Sequence, residues 1–208
     1  MEDVIEVYHR PPDINRPLIC LDEATKQLLR KTRVKVPAAP GCPARIDYEY
    51  ERNGVGTLFM MLAPHLGWRH VEVTERKTRA DYARMLRDLS DVHFPNAEKI
   101  ILVQDNLNTH DPASLYETFA PEEARRLRDR FEFHYTPKHG SWLNMAECEL
   151  SVLSRQCLAR RIPDMTALER EIRAWNKARD QKAKAYQWQF TTAEARIKLR
   201  RLYPTLST

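Results

Sequence analysis

Hydrophobic positions along the chain fall into short runs of period two, separated by longer stretches with a period near that of a helix. Arg16 to Leu21 (RPLICL) is apolar enough for a strand that Asp22 closes, with Pro17 tolerable only at its start or on a sheet edge. A proline-rich loop from Pro37 to Pro43 follows, with Gly41 inside it. Between Arg45 and Ala63 the pattern alternates through Ile46, Tyr48 and Tyr50 and resumes with Leu58 to Leu62, which predicts a hairpin turning at Asn53-Gly54. Arg69 to Thr74 alternates as a third extended piece. From Arg79 to Leu89, Tyr82, Met85, Leu86 and Leu89 have helical spacing, and Pro95 bars continuation. Lys99 to Val103 (KIILV) is almost continuously apolar, as a strand buried on both faces must be, and runs into Gln104-Asp105-Asn106. Helix from Pro121 to Arg130, strand from Phe131 to Tyr135, helix from Leu143 to Ala159, and a last pair of helices, Met165 to Lys184 and Thr192 to Leu202, complete the pattern. This order predicts an α/β fold: a mixed sheet flanked by helices, its last strands parallel because helices join them.

Composition narrows the class. The chain has 208 residues, 42% hydrophobic and 30% charged, which suffices for one full α/β domain with a real core. A mean hydropathy of -0.63 and the lack of any apolar run near 18 residues exclude a helical membrane span. Met1 to Ile14 has no charged-then-apolar signal pattern, so the expected location is the cytoplasm. Cys20, Cys42, Cys148 and Cys157 are scattered without a Cys-x-x-Cys pair, and are read as reduced thiols. Charge is regional. From Arg155 onward there are 13 Lys and Arg against 5 Asp and Glu, net +8, whereas residues 1–154 carry 21 against 24, net -3. The C-terminal part therefore suits a polyanion or forms solvated Arg-rich helices, while the rest concentrates carboxylates.

Three acids sit where such a sheet exposes them. Asp22 and Asp105 each follow a predicted strand, and Glu147 or Glu149 lies in the first turns of a helix after another. Ligands of open α/β sheets gather at the carboxyl ends of strands, so two aspartates 83 positions apart can converge there. Like charges brought together need compensation, and a hard carboxylate set without His-x-x-x-His or Cys-x-x-Cys favours Mg²⁺ or Mn²⁺ over zinc. The plainer reading is that Asp105 caps the segment after it and the glutamates are solvated. Periodicity leaves Glu147 and Glu149 undecided, because each lies about 80° from the centre of the stripe Leu143, Ala146, Leu150, Leu153 and Cys157.

The stretches PLICLDEATKQLL (Pro17 to Leu29), LVQDNLNTH (Leu102 to His110) and HYTPKHGSWLNMAECELSVLSRQCL (His134 to Leu158) closely resemble the catalytic half of the insertion-sequence-630 family of transposases, relatives of the mariner transposons. The resemblance runs in order across most of the chain. It implies a ribonuclease H-like fold with a helical C-terminal extension: a catalytic domain over residues 1–162 and a basic helical part over 163–208. It implies an Asp, Asp, Glu triad of Asp22, Asp105 and Glu147, the last standing shortly after the Leu-Asn pair, which together hold two Mg²⁺ or Mn²⁺ ions. The reaction implied is metal-dependent cleavage of DNA phosphodiester bonds and strand transfer at transposon ends, with a homodimer on double-stranded DNA. A hydrolysis-only nuclease is the alternative activity.

Two features depart from the family pattern. The helix-turn-helix domain that precedes the catalytic half in relatives is not in this sequence, which fits a split protein with a separate N-terminal helix-turn-helix polypeptide, or a truncated remnant able to inhibit a full-length transposase. Asp105 and Glu147 are also 42 positions apart, more than the commonest family spacing, and the helix from Pro121 to Arg130 accommodates the excess. Around the triad, Asn106 and His110 either orient phosphate or water, or cap and pack. Lys138, His139, Arg155, Arg160 and Arg161 are candidate DNA contacts. Trp142 is either a base-stacking residue or, as its type favours, a core residue, and Trp175 and Trp188 read as core.

Overall fold

The computed structural model describes residues 1–32, 40–41, 49–138, 140–182 and 184–203. Strands β1 (Leu18–Lys31), β2 (Tyr50–Ala63), β3 (Trp68–Thr74), β4 (Ile100–Gln104) and β5 (Phe131–Tyr135) form one sheet in the order β3-β2-β1-β4-β5. The first three pair antiparallel, and β1, β4 and β5 run parallel. Helix α2 (Arg79–Asp88) makes the crossover into β4, and α3 (Ala113–Thr118) with α4 (Pro121–Arg130) makes the one into β5. Parallel neighbours require such crossovers, whereas β1 to β3 can follow one another directly.

Period-two alternation divides the core into two layers. Ile19, Leu21, Phe59, Met61 and Leu102 face α2, α3 and α4, where Tyr82, Leu86, Leu115 and Leu127 meet them. Leu18, Cys20, Met60, Leu62, Ile101 and Val103 face the other side, covered by α1 (Glu2–Tyr8), α5 (Met145–Leu153), α6 (Met165–Asp180) and α7 (Thr192–Lys198). Each such Leu or Ile is worth roughly 1.5–3 kcal/mol relative to exposure, far more than helix propensity, so burial decides where the helices dock. Leu168, Ile172 and Trp175 of α6 and Ala195 of α7 belong to this second layer, so the basic C-terminal helices share the sheet's core. Starts are specified locally by capping boxes at Thr78/Asp81 and Thr191/Glu194 and by Asp164, which accepts from the Ala167 amide.

Several expectations are corrected. Asp22 does not close β1, which continues to Lys31 as the long partner of β2. Asn53-Gly54 is not a turn: it lies inside β2, where Gln27 pairs with Val55 and Leu29 with Arg52, so Asn53 and Gly54 together oppose Leu28 as a bulge. Gly54 supplies the positive φ of 90° that the bulge needs. The same dipeptide chemistry serves a turn or a bulge, and the length of β1 selects the bulge. Ile46, Tyr48, Cys42 and most of the Pro37–Pro43 loop lie outside the described residues. The helix expected over Leu143 to Ala159 is α5 between a 3-10 turn at Ser141–Leu143 and a wide, π-type turn at Ser154–Leu158, and α6 stops at Asp180. Helices α1 and α3 were not foreseen. No helix among the described residues is long and apolar enough to cross a membrane, and Cys20, Cys148 and Cys157 are free thiols.

Candidate active site

The last paired positions of β1 and β4 are Cys20 and Val103, whose side chains face the α5 side of the sheet. Asp22 stands two residues further along β1, on the same face as Cys20 by alternation, and Asp105 follows directly on Gln104, the last residue of β4. Pairing of β1 with β4 ends short of both acids, and ligands of open α/β sheets gather at the carboxyl ends of the parallel strands. Asn144 caps α5 by accepting from the Ala146 amide, which sets Glu147 in the helix's first turn. Burial first, then the charges of Asp105 and Glu147, push the Asp22 carboxyl up to about 6.

Asp105 is held by a buried histidine. His110 contributes Nδ1 at 2.6 Å from Asp105 Oδ1 and Nε2 at 2.9 Å from Glu23 Oε1, while the Leu107 amide donates to the same Asp105 oxygen at 3.3 Å. Burial works against the charged imidazole, but these two carboxylates outweigh it and raise His110 to about 9. The hydrogen bond from His110 in turn holds Asp105 below its ordinary value. His110 therefore aims one acid and neutralises Glu23, whose Oε2 has Lys77 Nζ at 3.6 Å. The residue serves position and packing together, and its ring lies 4.9 Å from that of Tyr82.

The structure separates the two glutamates that periodicity left undecided. Glu147 is exposed. Glu149 is buried behind α5, where Arg179 of α6 donates to it at 2.8 Å and Arg69 Nε of β3 lies 3.1 Å away. Its charge is consumed by two guanidinium groups, so it is the structural member of the pair. A cleft beside Asp105 is lined by Asn106, Leu107, Thr136, Pro137, Lys138 and Ser141.

Residues 17–169 match the family model described as DDE superfamily endonuclease. The chain belongs to this family. Among solved structures, the DDE endonuclease chain is similar to "Crystal structure of the Mos1 Strand Transfer Complex", at 17% identity and a TM-score of 0.59, over 88% of this chain and 54% of that one. It is also similar to "Crystal structure of a pre-cleavage Mos1 transpososome", at 17% identity and a TM-score of 0.51, over 85% and 53% of the two chains. The likeness shows the fold, that of the ribonuclease H-like catalytic domain of Mos1 transposase, and the chain spans about half the length of those relatives. No curated protein matches it.

As a DDE endonuclease domain, the chain fits a hard divalent cation in donor type and in charge: its acids are carboxylates, and Asp22 carries a repulsive surplus that a cation would offset. Among the described residues no three His, Cys, Asp or Glu side chains are drawn together as a closed ligand set. Of the candidate DNA contacts, Lys138 is exposed on the cleft beside Asp105. Arg155 is exposed and donates to Ser151 Oγ, Arg160 is paired with Glu171, and Arg161 stacks over Tyr50 at 5.4 Å. His139 lies outside the described residues. Trp142 departs from the core reading: it is 40% exposed and leans edge-on against Phe190, because Leu143 takes the buried position of its turn. Trp175 is buried and Trp188 half-buried. Sequence reasoning passed over Glu23, whose signal was adjacency to Asp22, and Asn144, whose Leu-Asn pair had served only as a family marker.

Proposed function

We propose that this chain is the catalytic domain of a transposase of the insertion-sequence-630 type, cutting DNA at transposon ends and joining the freed end to a target. The observation that carries the reading is the match of residues 17–169 to the DDE superfamily endonuclease model, with Asp22 and Asp105 each two residues past the last paired positions of β1 and β4. In this reading the three carboxylates hold two Mg²⁺ or Mn²⁺ ions. Bound there, the ions would activate a water or 3′-hydroxyl and stabilise the leaving oxygen of an in-line displacement. The chain's own part is positional: His110 holds Asp105, and the Asn144 cap of α5 sets Glu147 in the first turn of the helix. Lys138, His139, Arg155, Arg160 and Arg161 would meet phosphates, and Trp142 would stack on a base. Residues 1–162 would carry the chemistry and 163–208 the basic rim, with double-stranded DNA as substrate, a homodimer as the active form, and a separate helix-turn-helix polypeptide reading the ends.

Asp105→Ala tests the assignment. We expect Mn²⁺-dependent cleavage of DNA to disappear while salt-sensitive DNA binding, measured by fluorescence anisotropy, stays within about threefold, because phosphate contacts rather than acids supply affinity. Undiminished cleavage in that variant would remove Asp105 from the site.

A further inference from the structure

The turn before α5 carries a side chain whose two hydrogen bonds end on the residues just before two of the proposed acids. Asn144 is 1% exposed. Its Nδ2 donates to the Leu21 carbonyl at 2.6 Å, one residue before Asp22. Its Oδ1 accepts from the Ala146 amide at 3.1 Å, and its own carbonyl accepts from the amide of Glu147 at 3.1 Å. One side chain thus ties the backbone beside the first acid to the helix turn that carries the third. From outside, Tyr8 of α1 braces the same turn: its hydroxyl donates to the Leu143 carbonyl at 2.7 Å and receives the Met145 amide at 3.4 Å.

Capping alone does not account for Asn. Ser, Thr and Asp cap about as well, but none offers an acceptor for the helix together with a separate amide donor long enough to reach the strand. The local fold of α5 asks only for the acceptor. The donor is used to hold β1 against α5 at a buried point where an unmade bond leaves the Leu21 carbonyl without this partner.

We propose that Asn144 is a positioning residue that sets the spacing between Asp22 and Glu147, and through that spacing the affinity of the site for a divalent cation. The proposal rests on the reading of Asp22 and Glu147 as the metal-holding acids. Outer partners that orient ligands are worth about 10- to 100-fold in metal affinity when removed, although they touch no metal.

The test is Mn²⁺ binding to the intact chain without DNA, followed by calorimetry and by loss of the free Mn²⁺ paramagnetic resonance signal, alongside thermal melts without metal. Asn144→Ser keeps a cap acceptor and loses the reach to Leu21. Asp164→Ala removes the cap of α6, far from the acids, and serves as a control of similar destabilisation. Glu147→Gln reports on the acid reading itself. We expect Asn144→Ser to bind Mn²⁺ about 10-fold or more weakly, while melting no lower than Asp164→Ala, which keeps wild-type affinity. Wild-type affinity in Asn144→Ser, with binding lost in Glu147→Gln, would overturn the proposal and leave the acids in place. Equal weakening in Asp164→Ala overturns it as general destabilisation. Wild-type affinity in Glu147→Gln overturns the acid reading instead. Should Asn144→Ser fail to fold, Asn144→Thr makes the same comparison while filling more of the volume.

Discussion

Asp22 is held at a cost set first by its burial and then by its acidic neighbours. Its carboxyl has a folded value of about 6 against 3.8 for the free group, through burial and then the charges of Asp105 and Glu147. A raised carboxylate is easier to keep protonated in the folded chain. Stability tied to this group is therefore fully present below about pH 4 and falls away as pH rises through 6. In chelator-treated protein, Asp22→Asn should be more stable than the parent by about 2 kcal/mol at pH 8 and no different at pH 3.5, as compared by thermal melts. An equal effect at both values would mean that packing, not charge, separates the two. Glu149 shows the opposite condition: it is buried with two guanidinium groups and has no charge left to offer. Within one helix turn, Glu147 and Glu149 are divided by what lies behind α5, not by their own chemistry.

At the scale of elements, α6 approaches the sheet over a glycine. A Cβ built on Gly56 of β2 would stand 2.4 Å from Leu168 Cδ2 and 3.2 Å from Met165 Sδ. The strand therefore leaves the space that lets the helix reach the core, and the basic C-terminal part docks as closely as it does because that side chain is missing. Leu168 is fully buried and can yield only by displacing its neighbours. Gly56→Ala should cost about 1–3 kcal/mol, read as a lowered melting temperature, and Leu168→Val in the same chain should recover part of it. Simple additivity of the two changes would show that the contact is not the cause. The N-terminal segment is secured differently, by Glu132 of β5, which holds Arg10 at 2.6 Å, Arg16 at 2.5 Å and His134 at 3.0 Å. Burial would raise that carboxyl, but its hydrogen bonds from Arg10 and His134 bring it down to about 2.

At the scale of the whole molecule, the acidic and basic parts of the sequence share one core. Asp105 lines a cleft at the end of the parallel strands, and the positive excess of the sequence runs from Arg155 through α6 and α7, which pack on the same sheet. A duplex drawn by that excess would present its phosphates to the acids, where affinity alone would not bring them. Arg155 is exposed on the turn that follows α5. Arg155→Ala should weaken binding of unrelated DNA sequences alike and reduce the slope of log affinity against log salt by about 1. An unchanged slope would place Arg155 away from the bound duplex.

Much of this was determined by sequence alone, because local rules were sufficient. The apolar run Ile100 to Val103, the Pro121 start of α4 and the alternation of β3 each depend on neighbours within a few positions, and the structure keeps them, with Lys99 half-buried before β4 begins. Register along β1 and β4 likewise puts Asp22 and Asp105 two residues past the same paired position, Cys20 with Val103, as soon as the strands are known to be parallel. Tertiary structure decided what depends on distant partners. Asn53-Gly54 became a bulge because β1 runs on opposite it, Trp142 stayed outside because Leu143 took the core position, and Glu149 was set apart from Glu147 by Arg69 and Arg179, residues 80 and 30 positions away. Periodicity specifies a face, but what occupies that face is set by chain segments that meet only on folding.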